Sequence, residues 1–222
     1  MLIIGLVIAL LCILSASYYF LSNSKSYNKL LILGITSSGK TTIFSRLTFG
    51  MVKDTFSSLA INIGNYKSEH GTSINIIDIP GHNKIRYSSL ENYSNNCNRF
   101  IYVIDSKNIQ SELIDVAEFL YKVITNSNLN KNKACGLVVC NKQDIPVSKS
   151  PKVIQTLLEK EMNILKETSY SGLESIGSEN SSQCLLKRDE IFSFSENSHR
   201  IKVEFVECSA IDSIKQIEGW IN

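Results

Sequence analysis

The run Gly34-Ile35-Thr36-Ser37-Ser38-Gly39-Lys40-Thr41 fits G-x-x-x-x-G-K-[ST] in full, a spacing that wraps backbone around phosphate oxygens. Its glycines let successive N–H groups point inward as an anion nest. Lys40 reaches the β- and γ-phosphates, where its charge serves both binding and phosphoryl transfer, and the Thr41 hydroxyl ligates Mg2+. Thr42 belongs to the same nucleotide-binding set. Further along, Asp78-Ile79-Pro80-Gly81-His82 supplies a second acidic position. Asp78 there holds Mg2+ through water. Gly81 has no Cβ, so its N–H can approach a γ-phosphate closely.

Asn141-Lys142-Gln143-Asp144 addresses the base. The Asp144 carboxylate accepts from the N1–H and amino group of guanine and repels the N1 lone pair of adenine. Lys142 lies against the base, while Asn141 ties this loop to the phosphate loop. Cys208-Ser209-Ala210 then brings the Ala210 N–H to the guanine carbonyl oxygen. Four elements in this order imply GTP or GDP with Mg2+ as the bound groups.

Such loops need strands to carry them. Leu30–Leu33, Ile74–Ile79, Phe100–Ile104, Gly136–Cys140 and Val203–Val206 are apolar runs of strand length. A strand near Ile61–Tyr66 pairs antiparallel with the one starting at Ser73, through a turn at His70-Gly71. Helical spacing is clearest over Ser111–Thr125, where Leu113, Ile114, Ala117, Leu120, Tyr121 and Ile124 recur. Residues 150–166 repeat the pattern, with Pro151 near the helix start. Alternating strands and helices predict an α/β fold with a mostly parallel sheet. From Thr168 to Ser198 the chain is rich in Ser, Asn, Glu and Gly. It reads as a flexible insertion loop within the domain rather than a second domain.

Met1–Leu21 carries no charged side chain, and a helix of that length spans about 30 Å, the thickness of the hydrocarbon core. Tyr18, Tyr19 and Phe20 suit the interface, and Lys25 and Lys29 place the remainder of the chain in the cytosol. The division expected is a transmembrane signal anchor over 1–22, a short linker over 23–27 and a nucleotide-binding domain over 28–222. A cleaved signal peptide fits less well, because no basic stretch precedes the apolar run.

The 222 residues, 43% apolar and 20% charged, suit one globular domain with an appendage. A net charge of +2 leaves no footprint for nucleic acid. None of the six cysteines forms a C-x-x-C pair or meets a His at metal-ligand spacing. Cys135, Cys140 and Cys208 read as small buried hydrophobes. His70, His199, Arg86 and Arg99 read as solvated. Trp220 reads as a lock between the last helix and the sheet.

The motifs together resemble the signal recognition particle receptor beta subunit family, endoplasmic-reticulum GTPases related to small vesicle-coat GTPases. The resemblance runs from about residue 28 to the end. It rests on Asp78 to His82, Asp115-Val116-Ala117-Glu118-Phe119-Leu120-Tyr121, Asn141 to Asp144, Lys202-Val203-Glu204-Phe205 leading to Cys208-Ser209-Ala210, and Ile217-Glu218-Gly219-Trp220-Ile221. It implies a Ras/Arf-like P-loop GTPase domain on a single-pass anchor in the endoplasmic reticulum membrane, facing the cytosol. The GTP form recruits the receptor's alpha subunit, and ribosomes and the translocation channel are engaged indirectly. A hydroxyl from Thr55, Ser57 or Ser58 is the further Mg2+ ligand implied, with Ser57 nearest in alignment. His82 takes the position where many GTPases place a water-orienting glutamine.

Two other readings stand beside this one. An Arf/Sar-like vesicle-trafficking GTPase is attached by lipid, for which Leu2 and the ending Trp220-Ile221-Asn222 offer no site. A GTP-stabilised anchor keeps its nucleotide and hydrolyses little of it.

Overall fold

The structure is a computed structural model and describes residues 29–52, 60–176, 191–195 and 201–222, with backbone alone over 170–176. The expected anchor and linker, the hydroxyls Thr55, Ser57 and Ser58, and His199 lie outside the described residues. Among the described residues no helix is long and apolar enough to cross a membrane.

Among the described residues six strands form one sheet: β1 (Lys29–Leu33), β2 (Asn62–Lys67), β3 (Ser73–Asp78), β4 (Arg99–Asp105), β5 (Cys135–Asn141) and β6 (Lys202–Glu207). Their order is β2-β3-β1-β4-β5-β6. Only β2 runs antiparallel to its neighbour, and Gly71 turns the chain between β2 and β3 with φ +77°. Every expected strand is present.

The helices among the described residues are α1 (Lys40–Phe49), α2 (Asn83–Tyr93), α3 (Ile109–Ile124), α4 (Ser127–Lys131), α5 (Pro151–Ile176) and α6 (Lys215–Ile221). Alternation along β1 shows why they fall on two faces. Leu31 and Leu33 join a core with α3 and α5, while Leu30 and Ile32 join one with α1 and α6. Side chains two apart share a face, so a strand apolar at every position is covered on both sides. The open ends of the parallel strands therefore collect the loops after β1, β3, β4, β5 and β6 at one edge, where ligands bind in such sheets.

Several expectations need correction. The segment 168–198 is not loop throughout, because α5 continues to Ile176. The chain also returns with Phe192 and Phe194 buried in the α3–α5 core. There the Phe192 N–H donates to Asn163 Oδ1 at 2.8 Å and the Phe194 N–H to Glu159 Oε1 at 2.9 Å. Ile114 is 62% exposed, since it lies about 120° around the helix from Leu120 at 3.6 residues per turn. Cys135 is exposed at the start of β5, whereas Cys140 and Cys208 are buried. Arg99 is half-buried and donates to the Ile221 carbonyl at 2.6 Å.

Arg86 differs most from expectation, being 1% exposed. It makes a bidentate pair with Asp115 of α3, at 2.5 and 3.1 Å, and sits 4.8 and 4.9 Å from the ring centroids of Tyr87 and Phe119. A guanidinium can be buried this way because its two terminal nitrogens are paired by one carboxylate, with the Tyr87 hydroxyl a further acceptor at 2.9 Å, and its faces are covered by aromatic rings, although Nε has no partner among the described residues. The pair fastens α2 to α3. His70 is exposed as expected, and Trp220 packs half-buried against the α1–α6 core.

Candidate guanine-nucleotide site

The phosphate loop leaves β1 with Gly34 at φ +137°, Ser37 at +60° and Gly39 at +96°. Two of these positions have no room for a side chain as well. A Cβ on Gly34 would meet the Val103 carbonyl oxygen at 2.3 Å, and one on Gly39 would meet Asn141 Nδ2 at 2.1 Å. Gly81 packs against the same loop from the other side, where a Cβ would fall 2.4 Å from Ile35 C and Thr36 N. The loop after β3 therefore presses its backbone against the phosphate loop. Ser38 is buried and donates to the Ile35 carbonyl at 3.0 Å, while Thr36 and Ser37 are exposed.

Lys40 opens α1 and folds back over the loop, its Nζ donating to the Ile35 carbonyl at 2.5 Å and lying 3.4 Å from Ser38 Oγ. Burial pushes its ammonium down to about 8; Asp78 opposes that shift and the Arg86 charge adds to it. At the next residue, the Thr41 hydroxyl donates to Asp78 Oδ2 at 2.9 Å. The same oxygen accepts from Asn62 Nδ2 at 3.0 Å. Burial raises the Asp78 pKa, with Asn62, Thr41 and Lys40 pulling the other way.

Asp78 is 1% exposed, and its Oδ1 is buried with no hydrogen-bond partner among the described residues. An orphaned carboxylate oxygen in such a place needs an explanation. A hydrated divalent cation between Asp78 and the Thr41 hydroxyl supplies one, since both are hard oxygen donors of the kind Mg2+ takes. The residues present therefore fit the metal.

The base side is built by side chains that bridge loops. Asn141, 2% exposed, donates from Nδ2 to the Ser38 carbonyl at 2.8 Å and accepts on Oδ1 from the Ala210 N–H at 2.8 Å. One amide thus ties together three of the expected elements. The Ala210 N–H, expected to meet the guanine carbonyl, has Asn141 as its acceptor here. Asp144 is exposed and accepts from Ser209 Oγ at 2.9 Å, which orients its carboxylate. The Cys208 carbonyl accepts from the Gln143 N–H at 3.1 Å, binding the loops after β5 and β6 to each other. Lys142 adopts φ +66° and pairs with Asp105 Oδ2 at 2.5 Å.

His82 is exposed and caps α2, its Nδ1 accepting from the Lys84 N–H at 3.4 Å. Sequence reasoning missed Asn62, Asp105 and the Arg86–Asp115 pair. The Asp115 motif was visible, but nothing local shows which charge it meets. Asn62 and Asp105 sit at strand ends, and their roles come from residues 16 and 37 positions away.

A mostly parallel α/β sheet with a phosphate loop, an acidic strand end and a base-reading loop along one edge is a small-GTPase fold. Within that class, the chain belongs to the signal recognition particle receptor beta subunit family, whose pattern matches residues 25–201. It is 37% identical to the mouse signal recognition particle receptor subunit beta over 233 residues, covering 99% of this chain and 86% of that one. The Saccharomyces cerevisiae subunit is 31% identical over 184 residues, covering 79% and 73%. The solved structure of the mammalian signal recognition particle receptor aligns with a TM-score of 0.76 at 39% identity, covering 87% of this chain and 97% of that one.

Proposed function

We propose that this chain is the GTP-binding, membrane-anchored subunit of a signal recognition particle receptor. In its GTP form it recruits the alpha subunit to the endoplasmic reticulum membrane for co-translational targeting. The observation that carries the nucleotide reading is Asn141, which joins the phosphate loop, the base loop and the loop after β6 through two 2.8 Å hydrogen bonds.

The nest over residues 34–41 and Lys40 hold the phosphates. Thr41 and Asp78, with a hydroxyl from Thr55, Ser57 or Ser58, hold the metal. Mg2+, when bound, neutralises charge on the phosphate oxygens. Lys40 must leave the Ile35 carbonyl to reach a γ-phosphate, and Gly81 offers its backbone N–H there. Asp144 reads guanine. The uncharged run 1–21 with Lys25 and Lys29 after it supports a single-pass anchor with the domain in the cytosol.

One observation favours slow turnover, as in a GTP-stabilised anchor. His82 Nδ1 accepts from the Lys84 N–H as a helix cap, which commits that nitrogen to the helix rather than to a water beside the phosphate loop.

The test is capture of the alpha subunit's N-terminal domain by the full chain loaded with GTP or GDP. Recovery with GTP alone is expected, and equal recovery in both states counts against the reading. Retention of the full chain in carbonate-washed membranes, lost on deleting residues 1–22, tests the anchor.

A further inference from the structure

Asp105 is the last residue of β4 and stands in register with Asn141, the last residue of β5. It is 2% exposed, and a buried carboxylate is tolerated only when it is fully paired. Its Oδ1 accepts from the Lys107 N–H at 2.9 Å and the Asn108 N–H at 3.3 Å. Its Oδ2 accepts from Asn108 Nδ2 at 2.9 Å and Lys142 Nζ at 2.5 Å. One oxygen holds the turn into α3, and the other reaches across to the base loop. The turn is fastened to that loop by backbone as well. The Ser106 N–H donates to the Asn141 carbonyl at 3.1 Å, and the Lys149 N–H donates to the Ser106 carbonyl at 3.0 Å.

Lys142 needs this support. Its φ of +66° lies in the left-handed region, which costs a non-glycine residue on the order of 1 kcal/mol and persists only where surroundings hold it. Its carbonyl accepts from Ser148 Oγ at 2.6 Å, which fixes the backbone. The side chain is 29% exposed and is pinned at its far end by Asp105. A lysine free at its head loses much rotamer entropy when a ring stacks on its stem, and a pinned one has already lost it.

We propose that Asp105 is a positioning residue of the nucleotide site: by holding the Lys142 ammonium it stretches the lysine's alkyl stem into one wall of the purine pocket. The inference rests on the nucleotide reading above and adds a residue that touches no part of the nucleotide. Its contribution goes to every purine and both phosphate states alike, because an alkyl wall reads neither the base edge nor the γ-phosphate. Asp144 does the reading.

The test measures dissociation of fluorescent GDP and GTP, and the GTP-over-XTP preference, on full-length wild type, Asp105→Asn, Lys142→Met and the double variant. Asn keeps one carbonyl for the turn amides and loses the charge. Met keeps the stem and loses the ammonium. Asp105→Asn is expected to speed release of GDP and GTP by the same factor, roughly 10- to 100-fold, with the GTP-over-XTP preference unchanged. Lys142→Met should give a comparable change, and the double variant little more than either single one. Unchanged release rates, a shifted base preference, or single effects that multiply in the double variant would each overturn the proposal. If Asp105→Asn does not fold, Lys142→Met decides alone: release as slow as wild type refutes the pinned wall. Failure of the wild type to bind GDP would instead sink the nucleotide reading, and this proposal with it.

Discussion

The two halves of the site are finished to different degrees. On the base side, Asn141, Lys142, Asp144, Ser209 and Ala210 are interlocked by hydrogen bonds between loops of the chain itself. On the phosphate side, Lys40 rests on its own loop, Asp78 Oδ1 has no partner among the described residues, and His82 caps a helix. A pre-formed half binds without reorganisation and takes GDP and GTP equally. An unfinished half is completed by phosphate, metal and partner, so it is the half that can distinguish nucleotide states.

Removing Asn141 should break this contrast most severely. Asn141→Ala leaves the Ser38 carbonyl and the Ala210 N–H unpaired, and each such buried group costs about 1–3 kcal/mol. Affinity for GDP and GTP should fall together by at least roughly 100-fold, as read by titration with fluorescent nucleotides. A loss confined to GTP would mean that the base half is not pre-formed.

Asp144→Asn sharpens the contrast within the base half. An amide there donates where the carboxylate accepted, so GTP should weaken by roughly 10- to 100-fold while XTP, with an oxygen at the 2-position, gains. Unchanged purine preference in competition assays would contradict the assignment of Asp144.

The smallest effect comes from the phosphate half. Lys40 stands at about 8 in the folded domain against an ordinary 10.5. Between those values the unfolded chain binds the extra proton. The stability penalty is present in full below pH 8 and is relieved as pH rises toward 10.5. The nucleotide-free wild type should therefore gain stability with pH relative to Lys40→Met, by about 1 kcal/mol per unit at most. Chemical denaturation of both proteins from pH 7.5 to 9.5 reads the difference. Bound nucleotide should abolish it, because phosphate keeps Lys40 charged. A flat difference without nucleotide would mean that the ammonium is not desolvated.

Legibility in the sequence divides along the same line. Strands apolar at every position, the glycine spacing of the phosphate loop and the Asn141–Asp144 run are local patterns, and all were legible. Helix α2 was not, because its buried residues are only Arg86, Ser89 and Leu90, too polar to show an apolar face. Arg86 looked like a solvated charge because its partners, Asp115 and Phe119, are brought to it by the fold. Phe192 and Phe194 alternate with serines in a short period-two pattern, yet the polar composition around them concealed it. Asp105 gave no signal because a carboxylate at a strand end reads as a turn residue until Lys142 is seen to meet it.

The most direct test of a finished base half beside an unfinished phosphate half is single-turnover hydrolysis of GTP bound to the full chain, with and without membrane extract. GTP should be held tightly and cleaved at or below ~10⁻³ s⁻¹ by the chain alone, the range of unassisted small GTPases, with faster cleavage only when extract supplies the missing groups. Cleavage at about 1 s⁻¹ or faster by the isolated chain, well above that unassisted range, would contradict this division, because the phosphate half would then be complete without a partner.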